Sequence, residues 1–147
     1  MRVQASAVLP VTPQVLWVAL IRWEDQARWL RDADSVRVIG RRREGPGVRL
    51  AVKTRVLNVP LFTEQVEVTL WEPPHRLVIG HRSFVRGVGT WELASDGPGT
   101  RFTWTELLTL PVPVLGEVAL LVYRPFLRRL MRRGLVDLQT YVLGAER

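Results

Sequence analysis

Cysteine is absent from the 147 residues of the sequence. Its absence excludes disulfide bonds, thiolate metal sites and cysteine nucleophiles, and it is consistent with a reducing compartment. Residues 1–6 also contain no apolar core of a signal peptide. We therefore expect a cytoplasmic protein.

Long apolar runs are absent as well. The longest lies at residues 107–123, where Pro111, Pro113 and Glu117 interrupt it. A membrane-spanning helix needs about 20 predominantly apolar residues, so we predict no such helix. With 47% hydrophobic residues in a chain of this length, the composition indicates a single folded domain spanning residues 1–147.

The sequence also lacks the common motifs of metal and phosphate sites. Its two histidines, His75 and His81, do not have the helical spacing of a zinc-binding pair. There is no phosphate-binding loop and no Gly-x-Ser-x-Gly nucleophile elbow. We therefore predict no metal and no cofactor. Gly87 and Gly89 lie within a strand pattern, where glycine marks a bend or the close approach of another group.

Lysine is nearly absent, although the chain is basic. Lys53 is the one lysine among 21 basic residues, and the formal net charge is +7. Such an excess of arginine is typical of a solvated surface. It would also suit an anionic partner, such as a nucleic acid or a membrane surface.

Hydrophobic periodicity predicts one strand, two short helices, six further strands and a long helix. The predicted elements are a strand at residues 3–9, a helix capped by Thr12, a helix at 24–30, strands at 35–42, 48–58, 61–71, 76–82, 84–94 and 100–110, and a helix at 114–143. Consecutive strands with short turns indicate an antiparallel meander. Pro125 predicts a kink in the last helix, or a break into two helices.

This order of elements resembles the START-like, or helix-grip, superfamily (SRPBCC), which includes polyketide cyclases/dehydrases and lipid-transport proteins. The local features that match are the segments at residues 5–8 and 12–17, Trp29, the turn at 72–77, the entry to the last strand at 99–104 and the helix end at 138–141. The resemblance covers essentially the whole chain. It implies an α+β helix-grip fold, with an antiparallel sheet curved around the C-terminal helix and an internal hydrophobic cavity.

Members of this superfamily carry lipids, quinones, hormones or polyketides, and some catalyse ring closure or dehydration. The fold alone does not choose among these activities. The curved sheet and the helix leave a gap that is apolar with a few polar groups, as is usual for a small-molecule site.

Strand alternation places three titratable side chains, Glu64, His81 and Glu106, on the apolar inner face of the predicted sheet. Burial would disfavour the charged form of a carboxylate there, unless a cation pairs with it, and such a group suits general acid or base catalysis. Alternatively, the three residues lie at the cavity mouth, pair with arginine or remain hydrated.

We expect a cavity lined by aromatic and apolar residues of the sheet and the last helix, together with the three titratable residues. Trp29, Trp91 and Trp104 could stack on a planar ligand. On the helix, the prediction follows from an apolar stripe that begins at Leu115 and ends at Tyr141. The predicted ligand-binding set is Trp29, Phe62, Glu64, Val66, His81, Trp91, Phe102, Trp104, Glu106, Val122 and Phe126.

Five arginines of the last helix form a basic amphipathic segment: Arg124, Arg128, Arg129, Arg132 and Arg133. The segment is either a solvated face, a contact with an anionic membrane surface, or a contact with RNA. The membrane interpretation agrees with a lipid-carrying cavity, so we rank it above nucleic acid.

Three functions are consistent with the sequence. The first, which we favour, is binding or transport of a hydrophobic small molecule such as a lipid, quinone or polyketide-like compound; an interior filled by side chains would contradict it. The second is a cyclase/dehydratase-type enzyme, in which Glu106 or Glu64 abstracts a proton beside a carbonyl group and His81 assists at its oxygen. The third is an interaction protein that uses the arginine-rich helix.

Overall fold

The computed structural model describes residues 1–145. In chain order, its elements are β1 (Arg2–Leu9), α1 (Pro13–Leu20), a short 3₁₀ helix (Trp23–Arg28), β2 (Ala33–Ile39), β3 (Arg49–Val56), β4 (Val59–Glu72), β5 (Arg76–Arg82), β6 (Arg86–Asp96), β7 (Gly99–Thr109) and α2 (Leu115–Ala145). The predicted α+β order is confirmed, and most predicted boundaries lie within two residues of those observed. Thr12 caps α1 as expected, because its hydroxyl accepts a hydrogen bond of 3.3 Å from the Val15 amide.

The seven strands form one antiparallel sheet in the order β1-β7-β6-β5-β4-β3-β2. Each strand from β2 to β7 pairs with the next in the chain, as a meander requires, and β1 closes the far edge against β7. The curved sheet and α2 make up the helix-grip fold. The hydrophobic core lies between them and includes Trp23, Trp29, Phe102, Met131 and Leu138.

Pro125 predicted either a kink or a break in α2. The break is wrong, because α2 runs without interruption through this residue. The predicted inward stripe of α2 is wrong in the first half of the helix, although Gly134 and Leu138 in the second half are buried as predicted. Leu115 and Val122, both assigned to the stripe, are 71% and 75% exposed. Leu127, Met131 and Leu135 are buried instead. The sequence misled here because the first half of α2 is apolar on more than one face, so that periodicity alone does not choose the face that meets the sheet.

One bulge alters the predicted alternation of β4. The register with β5 shifts between Val68 and Leu70. Beyond the bulge, Trp71 rather than Leu70 packs against the core, with its ring 5.2 Å from that of Trp17. Glu64 and Val66 precede the bulge and keep their predicted inward positions.

Candidate functional site

Glu64, His81 and Glu106 form one hydrogen-bonded cluster on the inner face of the sheet. His81 Nδ1 lies 2.5 Å from Glu64 Oε1, and His81 Nε2 lies 2.9 Å from Glu106 Oε2. The side chain of His81 is 16% exposed and each carboxylate side chain 12%. The imidazole therefore lies between two carboxylates in a mostly buried setting.

The strand order explains how these side chains meet. Glu64 on β4 and His81 on β5 belong to adjacent strands, but Glu106 on β7 is separated from His81 by β6. The residue of β6 that pairs with Glu106 is Gly89. A Cβ atom at position 89 would lie 2.7 Å from Glu106 Oε1, so any larger residue there would displace the carboxylate from its position across the strand.

Gly87 also marks the close approach of another group, in this case a backbone carbonyl. Its φ is +134°, and a Cβ atom there would lie 1.8 Å from the carbonyl oxygen of Leu107. The two glycines of β6 therefore mark close approaches, as their place in a strand pattern predicted.

The charge state of His81 follows from its neighbours. Burial disfavours the charged imidazolium, but the hydrogen bonds to Glu106 and Glu64 outweigh this effect and raise the pKa of His81 to about 10. His81 is therefore protonated at neutral pH and donates to both carboxylates. Trp104 Nε1 donates a further hydrogen bond of 2.9 Å to Glu106 Oε1. The cluster is thus a fixed ionic group rather than a free base.

Asp32 is a fourth titratable residue of the site, and sequence reasoning missed it. It precedes β2 and lies near enough to the cluster for the charges of Glu106, Glu64 and His81 to act on its carboxyl group. Burial, and to a smaller extent the negative charges of Glu106 and Glu64, raise the pKa of Asp32 to about 6. Its side chain forms no ion pair within residues 1–145. A lone carboxyl group that titrates near neutrality can both accept and donate a proton.

The neighbours of Asp32 hold its backbone in place. Arg31 pairs with Asp137 of α2 at 2.5 Å, and Asp34 pairs with Arg55 of β3. The amide of Arg55 donates a 2.7 Å hydrogen bond to the carbonyl oxygen of Asp32. No pattern in the sequence distinguished Asp32 from Asp34, because the difference lies in which of the two side chains points inward.

Two small cavities adjoin the cluster, with volumes of about 90 and 110 Å³. Both are lined by Asp32, Thr54, Glu64, His81, Trp104 and Glu106. Each is well below the ~300 Å³ at which typical small-molecule sites begin. Within residues 1–145, these two cavities beside the cluster are therefore smaller than a lipid requires.

Seven of the predicted ligand-binding residues do line these cavities: Phe62, Glu64, Val66, His81, Trp91, Trp104 and Glu106. Trp29 and Phe102 do not, because they pack behind the wall against Trp91, at ring distances of 5.5 and 6.2 Å. On α2, Val122 points to solvent, and Phe126 packs on Tyr123 at 5.3 Å instead of lining a cavity.

The residues of α2 that do line the second cavity are Tyr123 and Leu127, each one position beyond a predicted residue. Burial and the nearby charge of Asp32 raise the pKa of Tyr123, so its hydroxyl stays protonated and can donate a hydrogen bond. If the inward face of α2 had been predicted correctly from the sequence, Tyr123 and Leu127 would have been among the predicted ligand-binding residues.

The arginines of α2 do not reach the cluster. Arg129, Arg132 and Arg133 are exposed, whereas Arg124 and Arg128 are half-buried. None of the five forms an ion pair with another residue of the described chain. The α2 helix and the other described helices are not long and apolar enough to cross a membrane.

The cluster is poorly suited to hold a metal ion. The ring of His81 lies between the two carboxylates and uses both nitrogens to bind them, so the three groups do not converge on one point. No group of metal-binding side chains occurs elsewhere among residues 1–145.

The family assignment rests on the whole sequence. Residues 1–143 match the family described as polyketide cyclase/dehydrase and lipid transport. The chain belongs to this family. This family is among the proteins that the order of predicted elements resembled in the sequence. No curated protein matches the sequence.

Solved structures with this family's fold superpose on the whole chain. The protein TTHA0849 from Thermus thermophilus is 21% identical with a TM-score of 0.82, and all of both chains is covered. The KanY protein is 16% identical with a TM-score of 0.79, covering 98% of each chain. The di-domain ARO/CYC StfQ of the steffimycin biosynthetic pathway is 11% identical with a TM-score of 0.77, covering 99% of this chain and 52% of that one. At these identities the likeness establishes the fold alone.

Proposed function

We propose that the protein binds a small, partly apolar organic molecule between the sheet and α2, with the polar end of that molecule against the Glu64–His81–Glu106 cluster. The observation that carries the proposal is that both cavities have mostly apolar walls and share this one ionic group. A fixed set of polar groups in an apolar cavity is the usual composition of a small-molecule site. Membership of a family that includes lipid-transport proteins and cyclases supports it.

The size of the cavities limits the ligand. A volume of about 100 Å³ in each accepts a compact molecule, such as one ring with a carbonyl or hydroxyl group, rather than a lipid. A longer compound would require α2 or the hairpins of the sheet to move outward. We therefore favour a compact ligand over the lipid, quinone or polyketide-like compound expected from the sequence.

The first test is native mass spectrometry of freshly purified protein, followed by denaturation and analysis of the extract. We expect a small added mass that is lost on denaturation. The Val52→Phe variant, which fills the first cavity, should lose this mass. The Val88→Phe variant makes the same change on the outer face of the sheet and should retain it.

Binding can also be measured directly with acetophenone, which combines one apolar ring with a carbonyl group. Titration into ¹⁵N-labelled protein should shift the amide signals of Gly89 and Ile79, which line the first cavity. An unshifted spectrum, together with a purified protein that carries no added mass, would contradict the proposal.

A second candidate function, proton transfer next to a carbonyl group, is favoured by the environment of Asp32. Asp32 lines both cavities beside the cluster, and Tyr123 lines the second of them. In its charged form, Asp32 would take a proton from the carbon beside the carbonyl. The electrons of the C–H bond would then move to the carbonyl oxygen, where the Tyr123 hydroxyl would donate a hydrogen bond to the resulting enolate. This step is the core of cyclase and dehydratase chemistry.

The measurement is deuterium incorporation into acetylacetone in D₂O, followed by proton NMR. We expect the protein to accelerate exchange and the Asp32→Asn variant to lose the acceleration, typically by about 10²-fold or more when a general base is removed. Exchange that is unaffected by Asp32→Asn would assign the activity to another group or to the solvent.

A further inference from the structure

Three chain segments meet at one end of the molecule. The two-residue turn between β3 and β4 joins Val56 to Val59, and the turn between β5 and β6 joins Arg82 to Arg86. Arg86 in turn pairs with Thr109, the last residue of β7, which leads into the first turns of α2. We refer to residues 57–61, 83–85 and 112–122 together as the apolar end.

Large apolar side chains are concentrated on this end. Of the fourteen that are exposed within residues 1–145, ten lie in these segments. Leu57, Leu61 and Phe84 are 67%, 62% and 60% exposed, and Leu115 and Val122 on α2 are exposed to a greater degree. Single exposed apolar residues are common on protein surfaces, but a contiguous group marks an interaction site.

Leu57 is unusual for the turn that it occupies. Leu57 and Asn58 have φ values of 52° and 66°, as in the type I′ turn of a two-residue hairpin. Such positions favour asparagine or glycine, because a larger side chain is strained in the left-handed region. Neither folding nor solubility therefore accounts for a leucine at the tip of this hairpin, and strain of this kind is often found at functional sites.

Arginines flank this end. Arg82 and Arg86 border the second segment, Arg55 and Arg124 lie two residues from the other two, and Glu117 is the one carboxylate within the segments. Arg55 and Arg82 pair with Asp34 and Glu67. Arg86 is exposed and forms no ion pair with another residue of the described chain. An apolar surface edged by arginine is complementary to a layer of hydrocarbon beneath anionic head groups.

The apolar end also lies next to the interior site. The second cavity is lined by Val56, Phe62 and Val85, which are direct sequence neighbours of the exposed Leu57, Leu61 and Phe84. The turns that carry the exposed side chains are therefore the same turns that close this cavity.

From these observations we propose that the apolar end docks on an anionic lipid bilayer, with Leu57, Leu61 and Phe84 entering the interface and Arg86 contacting head groups. We choose a bilayer over a protein groove because the exposed apolar side chains come from three different chain segments that are flanked by arginine. The contact lies on the two turns and the start of α2, rather than on the basic segment that the sequence suggested, which consists of Arg124, Arg128, Arg129, Arg132 and Arg133.

The test is flotation of the purified protein with vesicles of mixed phosphatidylcholine and phosphatidylglycerol. We expect binding to these vesicles and little binding to phosphatidylcholine alone. The Leu61→Ser/Phe84→Ser double variant should reduce binding by about tenfold or more, and Arg86→Gln by several-fold. All three residues are exposed, so these variants should keep the fold.

Two matched controls separate the apolar end from the rest of the surface. Val136→Ser removes an equally exposed apolar residue from the second half of α2, and Arg132→Gln/Arg133→Gln removes charge from the arginine-rich segment. Both should leave vesicle binding nearly unchanged. A circular dichroism melt confirms that each variant is folded.

Three results would overturn the proposal. The first is a wild-type protein that fails to float with anionic vesicles, and the second is an Arg132→Gln/Arg133→Gln control that loses as much binding as the double variant. The third is a dimer in solution that the Leu61→Ser/Phe84→Ser variant converts to a monomer without any vesicle binding. That outcome would assign the apolar end to a second copy of the chain.

Discussion

Asp32 and His81 differ because of the groups that face them, not because of depth alone. Both side chains are mostly surrounded by protein, yet the cation of His81 has two carboxylate partners while Asp32 has no cation paired with it among residues 1–145. The two carboxylate partners keep His81 charged, whereas ionising the unpaired carboxyl group of Asp32 costs free energy. Of the titratable residues at the cavities, Asp32 is therefore the one suited to change its protonation state during binding or catalysis.

The raised pKa of Asp32 predicts a stability effect of definite sign. Its value of about 6 lies above the ordinary 3.8, so the folded protein binds the proton more tightly than the unfolded chain. Stability therefore falls as the pH rises from about 4 to about 6. Asp32→Asn removes this cost and should stabilise the protein at pH 7.5 by up to about 3 kcal/mol, with little effect at about pH 4. Urea unfolding at the two pH values measures it.

Asp34→Asn is the matched control for this prediction. Hydrogen bonding to Arg55 lowers the pKa of Asp34, so the charged form of Asp34 stabilises the fold above its ordinary pKa and the benefit is lost on acidification. The control should therefore destabilise the protein at neutral pH, opposite in sign to Asp32→Asn. Equal effects from the two substitutions would show that burial does not distinguish these carboxylates.

At the scale of elements, the strands were predicted better than the long helix. Alternation along β4, β5 and β7 placed Glu64, His81 and Glu106 on one face, because a strand offers only two faces and a single apolar row selects one. Around a helix the choice is continuous. Apolar residues of α2 such as Leu120, Leu121 and Val122 cover several faces, and only packing against the sheet buries Leu120 and exposes the other two.

Asp32 and the cavity size could not be predicted, for a related reason. The inward direction of Asp32 depends on the segment between the 3₁₀ helix and β2, whose path is fixed by long-range pairs such as Arg31 with Asp137. The small cavity volume depends on how Trp91 and Trp104 fill the space beneath α2. Neither property has a periodic signal in the sequence.

The packing of α2 against the segment that follows the 3₁₀ helix depends on one glycine. A Cβ atom at Gly134 would lie 2.7 Å from the carbonyl oxygen of Trp29, a backbone atom that cannot move cheaply. In a helix, alanine is more favourable than glycine by about 1 kcal/mol. Because of the close contact, we nevertheless expect Gly134→Ala to destabilise the protein by roughly 1–3 kcal/mol. Chemical denaturation measures the change in the free energy of unfolding.

Gly144→Ala supplies the control on the same helix. A Cβ atom there meets nothing within 4 Å, so helix propensity should dominate and stability should stay constant or rise by up to about 1 kcal/mol. If both substitutions were stabilising, the close approach of α2 to Trp29 would not limit packing.

At the scale of the whole molecule, the buried ionic cluster makes the stability of the folded sheet depend on pH. Glu64, His81 and Glu106 come from β4, β5 and β7, so the cluster ties together strands that span four positions of the sheet. The raised pKa of His81 means that the protonated imidazole stabilises the folded state. That contribution is fully present below pH 6.5 and is lost as the pH rises through about 10.

We therefore expect the free energy of unfolding to decrease between about pH 7 and pH 10 by at least about 1.4 kcal/mol, the equivalent of one pKa unit. His81→Gln should be less stable at neutral pH, because both carboxylates lose their cation, and its stability should change much less over the same range. His75→Gln changes the exposed histidine of the β4–β5 turn and should preserve the wild-type slope. Urea unfolding across this range compares the three proteins, and a wild-type slope that survives in His81→Gln would mean that the ionic cluster does not control alkaline stability.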